Sequence, residues 1–248
     1  ACSWGSHQSI QTFPEKFIER VPDNVSFEDA AIVHIATFPL AAIRKLKLEI
    51  GESVLVMGLG ILGMIAVKEL LAAGAGCVIV ADLNQERREM ALKLGADYAF
   101  NPKDEDFAEQ VKTVSNGGVK TCIEVTGVGI AFDMALDCMA RYGRVALLGC
   151  TRDSNFTIDY YRKIHGPGID VIGAHTKARP DVESSPNFWK LEDDKNAILE
   201  LISRGRLKLS DMVCETHLPS EAEKIYKNLV SDKNFPVCVQ FDWTKEEN

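Results

Sequence analysis

The run Gly58-Leu59-Gly60-Ile61-Leu62-Gly63 sets three glycines at the spacing that turns a strand tightly into a helix. Gly58 permits the turn, Gly60 lets the backbone approach a pyrophosphate, and Gly63 lets the helix pack closely on the strand. The phosphates would meet the helix N-terminus, where unpaired N–H groups and the macrodipole favour an anion. Asp82 follows about 20 residues later, where a carboxylate accepts hydrogen bonds from an adenosine ribose and repels a 2′-phosphate. The pair implies a dinucleotide site that prefers NAD to NADP.

Other residues able to do chemistry are sparse. His34 lies in the apolar stretch Ala30-Ala31-Ile32-Val33-His34-Ile35, where a single imidazole reads as a hydrogen-bonded core residue or as one isolated ligand or catalytic group. His7, His165, His175 and His217 have no ligand spacing, and no Ser-His-Asp or Cys-His set can be assembled. The cysteines (Cys2, Cys77, Cys122, Cys138, Cys150, Cys214 and Cys238) form no Cys-x-x-Cys pair. Lying mostly in apolar runs, they read as small buried hydrophobes.

The elements that must position the glycine turn alternate in type. Apolar strands are expected at Ser53–Met57, Cys77–Ala81, Tyr98–Phe100, Val119–Val125, Arg144–Leu148 and Ile169–Ile172. Between them run helices over Ile61–Ala73, from an Asn84 cap to Gly95, on the face of Phe107, Val111 and Val114, and over Ile130–Ala140. This pattern predicts an α/β fold with a doubly wound parallel sheet of six strands. The strand C-termini should share one edge, where a dinucleotide lies. Before Ala41 the chain is punctuated by Pro14 and Pro22; after the sheet a polar loop, Arg179 to Asp194, leads into two helical segments and a strand at Val237–Phe241. The ends read as pieces of a second unit.

Composition narrows the class. A formal charge of −8 argues against a nucleic-acid footprint. No apolar run approaches the roughly 20 residues that span a bilayer, and the first residues lack a signal-peptide pattern, so a cytoplasmic protein is expected. The chain begins without Met and reads as a fragment.

Several stretches together resemble the zinc-type medium-chain dehydrogenases/reductases, the family of alcohol, sorbitol and threonine dehydrogenases. They are Val21-Pro22-Asp23-Asn24-Val25-Ser26-Phe27-Glu28-Asp29-Ala30-Ala31, Gly51-Glu52-Ser53-Val54-Leu55-Val56, the glycine turn, Leu94-Gly95-Ala96-Asp97, Glu124-Val125-Thr126-Gly127 and Gly143-Arg144-Val145. The resemblance implies a Rossmann domain over 41–176, inserted between remnants of a GroES-like catalytic domain at 1–40 and 177–248. It adds Leu83 and Arg87 beside the adenosine, and Thr126, Leu148 and Gly149 in the loops lining the nicotinamide. His34 falls near a position where relatives carry a metal ligand or a nearby acid. The family's other zinc ligands have no counterpart here, so no metal site is expected in this chain. The complete protein would be a homo-oligomeric, NAD-dependent and zinc-assisted alcohol or polyol dehydrogenase, and this chain an inactive fragment that binds NADH. The alternatives are a non-catalytic NAD-binding, redox-sensing module and a zinc-independent quinone or enoyl reductase, against which Asp82 weighs.

Overall fold

The computed structural model describes residues 7–151 and 154–245, so the reading of Cys2 as buried lies outside the described residues. Strands β1 (Ser53–Met57), β2 (Cys77–Ala81), β3 (Tyr98–Phe100), β4 (Val119–Glu124), β5 (Met139–Leu147) and β6 (Asp170–Gly173) form one sheet. Its order is β3-β2-β1-β4-β5-β6 and every pairing is parallel. This is the doubly wound sheet the alternating pattern predicts.

The pleat of β1 explains why both faces are covered. Val54 and Val56 point into one core with Val78, Val80, Ile123 and Ala146, while Leu55 and Met57 point into the other with Ile79, Ala81, Cys122 and Val145. Helices α2 (Val33–Leu46), α3 (Ile61–Ala73), α4 (Gln85–Lys93) and α7 (Leu191–Ser203) bury the first face; α5 (Phe107–Val114) and α6 (Gly129–Asp137) bury the second. Each fully buried aliphatic side chain contributes about 1.5–3 kcal/mol relative to exposure. Asn84 caps α4 by accepting the Arg87 N–H at 3.1 Å, and α3 stops at Gly74, whose φ is +90°.

Several boundaries differ from the sequence reading. Strand β4 ends at Glu124 instead of Val125, β5 at Leu147 instead of Leu148, and β6 runs over Asp170–Gly173 instead of Ile169–Ile172. The last strand starts at Val239 instead of Val237. The helix expected over Ile130–Ala140 ends at Asp137, and β5 begins at Met139 instead of Arg144. Gly118 lies so close that a Cβ there would sit 2.6 Å from the Ala140 nitrogen, and Met139 pairs with Val119. Tertiary backbone packing thus overrides a helical pattern. The polar loop stops early because α7 starts at Leu191. In the segment read only as Pro-punctuated, α2 runs from Val33 across Pro39 to Leu46.

The two chain ends meet. The Asp29 carboxylate, which precedes the end of α1 (Phe27–Ala30), accepts the N–H groups of Leu209 and Ser210, each at 2.7 Å. Asn24 donates to the Ser203 carbonyl at 2.8 Å, and Lys195 pairs with Glu19 at 2.6 Å in near-complete burial. Two short strands, β7 (Glu215–His217) and β8 (Val239–Phe241), pair in parallel, with α8 (Ala222–Ser231) between them. Among the described residues no helix is long and apolar enough to cross a membrane.

Glu69 is 3% exposed, and neither carboxylate oxygen has a hydrogen-bond partner among the described residues. Burial pushes its carboxyl well above the ordinary 4.5, Asp194 adds to the rise, and Arg44 opposes it. A raised acid binds its proton more tightly when folded, so its stability contribution is complete below the unfolded value and is lost as pH rises through the folded one. Glu69→Leu is expected to stabilise the protein by about 2 kcal/mol above neutral pH, the scale of removing an unsatisfied buried polar group. The gain should shrink towards pH 4. Urea unfolding at the two pH values checks this, and a gain equal at both would contradict it.

Candidate functional site

The ends of β1, β2, β4 and β5 converge on one edge of the sheet. Gly58, with φ +101°, follows β1, and a Cβ there would fall 2.7 Å from the Thr126 methyl. A Cβ on Gly63 would fall 2.0 Å from the Gly58 carbonyl oxygen, so α3 crosses the turn at a distance only glycine allows. Gly60 differs, because no atom lies within 4 Å of where its Cβ would be. That open space adjoins the first turn of α3, whose N-cap is Gly60 itself and carries no side-chain cap. The free N–H groups and the positive helix end suit a phosphate. Ile61 and Leu62 open the helix half-buried, while Leu59 is fully buried and fixes the turn to the core.

Asp82 stands just past the end of β2, and its carboxylate is held by the backbone on both sides. One oxygen accepts the Leu59 N–H at 2.7 Å and the other the Asn84 N–H at 2.8 Å. It therefore ties the glycine turn to the start of α4, and each oxygen keeps a lone pair for a ligand hydroxyl. Leu83 beside it is exposed, and Arg87 is half-buried on the first turn of α4. Arg88, which the sequence reading passes over, donates to the carbonyls of Asp82 at 2.7 Å and Leu83 at 3.1 Å and braces the same turn.

On the other side of β1, the structure brings Thr126, Leu148 and Gly149 together. Leu148 and Gly149 each donate an N–H at 2.9 Å to the Glu124 carbonyl. A Cβ on Gly149 would lie 2.2 Å from the Gly127 nitrogen, so these loops touch backbone to backbone. A cavity of about 450 Å³ opens beside them, lined by Gly127, Val128, Gly129, Ile130, Cys150 and Phe156. Cys150 is exposed there and Cys214 is exposed ahead of β7, correcting the expectation of buried cysteines for these two. Both sit in loops, outside the apolar strands that bury Cys122.

His34 stands apart from these loops, on α2. Its ring meets Phe38 edge-on at 5.5 Å between centroids. Burial lowers its pKa from 6.5, and the charges of Lys195 and Arg179 lower it further, so the fold favours the neutral imidazole. Nearby, Arg179 donates to the carbonyls of Thr37 and Thr176, each at 3.0 Å. A neutral imidazole is the form that ligates a metal. Yet no group of three or more His, Cys, Asp and Glu side chains could hold a metal ion among the described residues. The described residues therefore do not form a zinc site.

Comparison with known proteins agrees with this fold. Residues 62–189 match the family described as "Zinc-binding dehydrogenase". A sorbitol dehydrogenase of Bacillus subtilis (strain 168) is 35% identical over 136 residues, 54% of this chain and 38% of that protein. The crystal structure of 2R,3R-butanediol dehydrogenase from Bacillus subtilis superposes with a TM-score of 0.75 at 24% identity, over 91% of this chain and 60% of that one. A structure described as a short chain alcohol dehydrogenase from E. coli CFT073, complexed with NADH, gives 0.77 at 20% identity, over 92% of this chain and 63% of that one. The chain spans between about a third and just over half the length of the curated relatives it matches. By its family match and its doubly wound sheet, this chain belongs to the zinc-binding dehydrogenases, of the zinc-type medium-chain dehydrogenase/reductase class.

Proposed function

We propose that this chain carries the NAD-binding half of an alcohol or polyol dehydrogenase, in which a hydride passes between the substrate and the nicotinamide. The observation that carries the reading is the open space at Gly60, set between the uncapped start of α3 and the Asp82 carboxylate. The pyrophosphate would lie against the α3 N–H groups and the adenosine ribose against Asp82. The nicotinamide half would lie along the loops of Thr126, Leu148 and Gly149. Support for the substrate class comes from relatives whose names state sorbitol and butanediol. Of the flanking segments, 1–40 and 177–248, the parts that form α2 and α7 pack on the Rossmann sheet; the remainder would belong to a second, GroES-like unit. A homo-oligomeric, cytoplasmic enzyme with zinc supplied at a complete site remains the proposal for the whole protein.

When bound, NAD supplies the hydride acceptor. This chain's own residues set which dinucleotide is taken. A 2′-phosphate would meet the Asp82 carboxylate, so NADPH is expected to bind at least about tenfold more weakly than NADH. Asp82→Ser should narrow the gap mainly by weakening NADH, because it removes hydrogen bonds to a charged acceptor worth about 1.5–3 kcal/mol. It also releases Leu59 from its anchor. Fluorescence titration with both cofactors tests the reading, and equal or tighter binding of NADPH would sink it.

A further inference from the structure

Glu124 closes β4 in a setting where a charge has little reason to be. It is 2% exposed, follows the apolar residues Cys122 and Ile123, and forms no ion pair among the described residues. What surrounds its carboxylate is a set of donors from one loop. Oε1 accepts the Thr126 N–H at 2.8 Å and also the Thr126 hydroxyl, while Oε2 accepts the Gly127 N–H at 3.1 Å. The same hydroxyl oxygen accepts the Val128 N–H at 3.0 Å. A side chain thus does here what a helix cap does elsewhere, satisfying consecutive backbone donors that have no secondary-structure partner.

Two neighbours depend on where that loop stands. The Thr126 methyl fills the position a Gly58 Cβ would need, so the loop is seated against the β1 turn. Gly127, with φ +67°, leaves only 2.8 Å between its would-be Cβ and the Cys150 carbonyl carbon, so the loop is also seated against the one after β5. The Glu124 backbone carbonyl holds that second loop through Leu148 and Gly149. One residue therefore sets three loops at the edge of the sheet, and Asp82 reaches only the first of them.

We propose that Glu124 is a positioning residue for the nicotinamide half of the cofactor cleft: its buried carboxylate fixes the Thr126–Val128 loop against Gly58 and Gly149. The inference rests on the NAD reading above. The sheet order separates the two halves, because Asp82 lies on the β2 side of β1 whereas Glu124 lies on the β4 side. Loss of Glu124 should therefore be felt by a ligand that occupies both halves and not by one confined to the first.

The full chain and its Glu124→Gln variant are titrated with NADH and with ADP, which carries the adenosine and pyrophosphate but no nicotinamide. Glutamine keeps one acceptor oxygen and turns the other into a donor facing the loop N–H groups. The expected result is a rise of about tenfold in the NADH dissociation constant, the equivalent of one hydrogen bond to a charged acceptor, with ADP changed less than about twofold. Thr126→Val keeps the methyl against Gly58 and removes the hydroxyl; it should weaken NADH about threefold with the same indifference to ADP, and it decides the matter if Glu124→Gln does not fold. Equal losses for NADH and ADP would show a general structural role and overturn the inference. So would unchanged binding of both. If the parent chain binds neither NADH nor ADP, the cofactor reading fails and takes this inference with it.

Discussion

Replacing Asp194 by alanine is expected to lower the unfolding free energy by about 3–5 kcal/mol, the range for breaking a buried ion pair by deleting one partner. Asp194 is fully buried on α7 and faces two cations from elsewhere in the chain. Arg44 of α2 donates to it at 2.8 Å, and Arg179, just beyond β6, lies at 3.4 Å. Burial holds the Asp194 carboxyl above its ordinary value, against the pull of the arginines, led by Arg44. Arg44 is partly exposed and stacks on Trp189 at 3.6 Å, so it can regain some hydration when its partner is removed. Arg179 is only 8% exposed and cannot. The loss should therefore fall near the lower end, about 3 kcal/mol, which for a chain of this size means a Tm lower by roughly 6–12 °C. Thermal melts of Asp194→Ala beside Asp194→Asn check it. A drop of under about 1 kcal/mol, the scale of an exposed pair, would mean that water already reaches the cluster.

The second large effect separates two glycines that look alike in sequence. Gly63→Ala would place a methyl 2.0 Å from the Gly58 carbonyl oxygen, which is backbone and cannot swing aside. Helix α3 must then move off the turn, at a cost of about 1–3 kcal/mol for overpacking. Because that movement carries with it the α3 N–H groups proposed to hold the pyrophosphate, NADH binding should weaken by about 10- to 100-fold. Gly60→Ala meets no atom within 4 Å, so the free protein should melt as the parent does. Its methyl would fill the space proposed for the pyrophosphate and weaken NADH comparably. Melting curves without cofactor, with NADH titrations alongside, distinguish the two. If Gly60→Ala binds NADH as the parent does, the pyrophosphate does not lie where it is placed.

Both predictions bear on how much could be read before the structure. The glycine turn was legible because its requirements are local: a strand before, a helix after, and fixed spacing between. The same is true of β1, β2 and β3, whose bounds agree with the reading residue for residue. The start of β5 was not legible, since Met139 and Ala140 continue the apolar period of the preceding helix. The close approach of Gly118 and the pairing of Met139 with Val119 assign them to the sheet. Helix α2 was hidden by Pro39, an interior residue that normally ends a helix. The Arg44, Arg179 and Asp194 cluster joins residues up to 150 positions apart, and no periodicity reports such a meeting. Glu124 was read as part of the strand Val119–Val125 and of the family-like run Glu124-Val125-Thr126-Gly127, with no role of its own. The signal that could have singled it out is an ionisable residue ending an apolar strand beside Thr126 and Gly127, since such a group must find its partners locally.

The clasp between the chain ends has a bearing on the order of folding. Its hydrogen bonds span 179 to 181 positions, whereas β1 pairs with β2 across a single helix. Loop-closure entropy favours the short-range unit first, so the βαβ core should assemble while the ends are still apart. The contacts of Asp29 and Asn24 then close last and are the first to open. In hydrogen exchange, the Leu209 and Ser210 amides would be released ahead of the amides of β1, by an opening that leaves the sheet and its glycine turn intact.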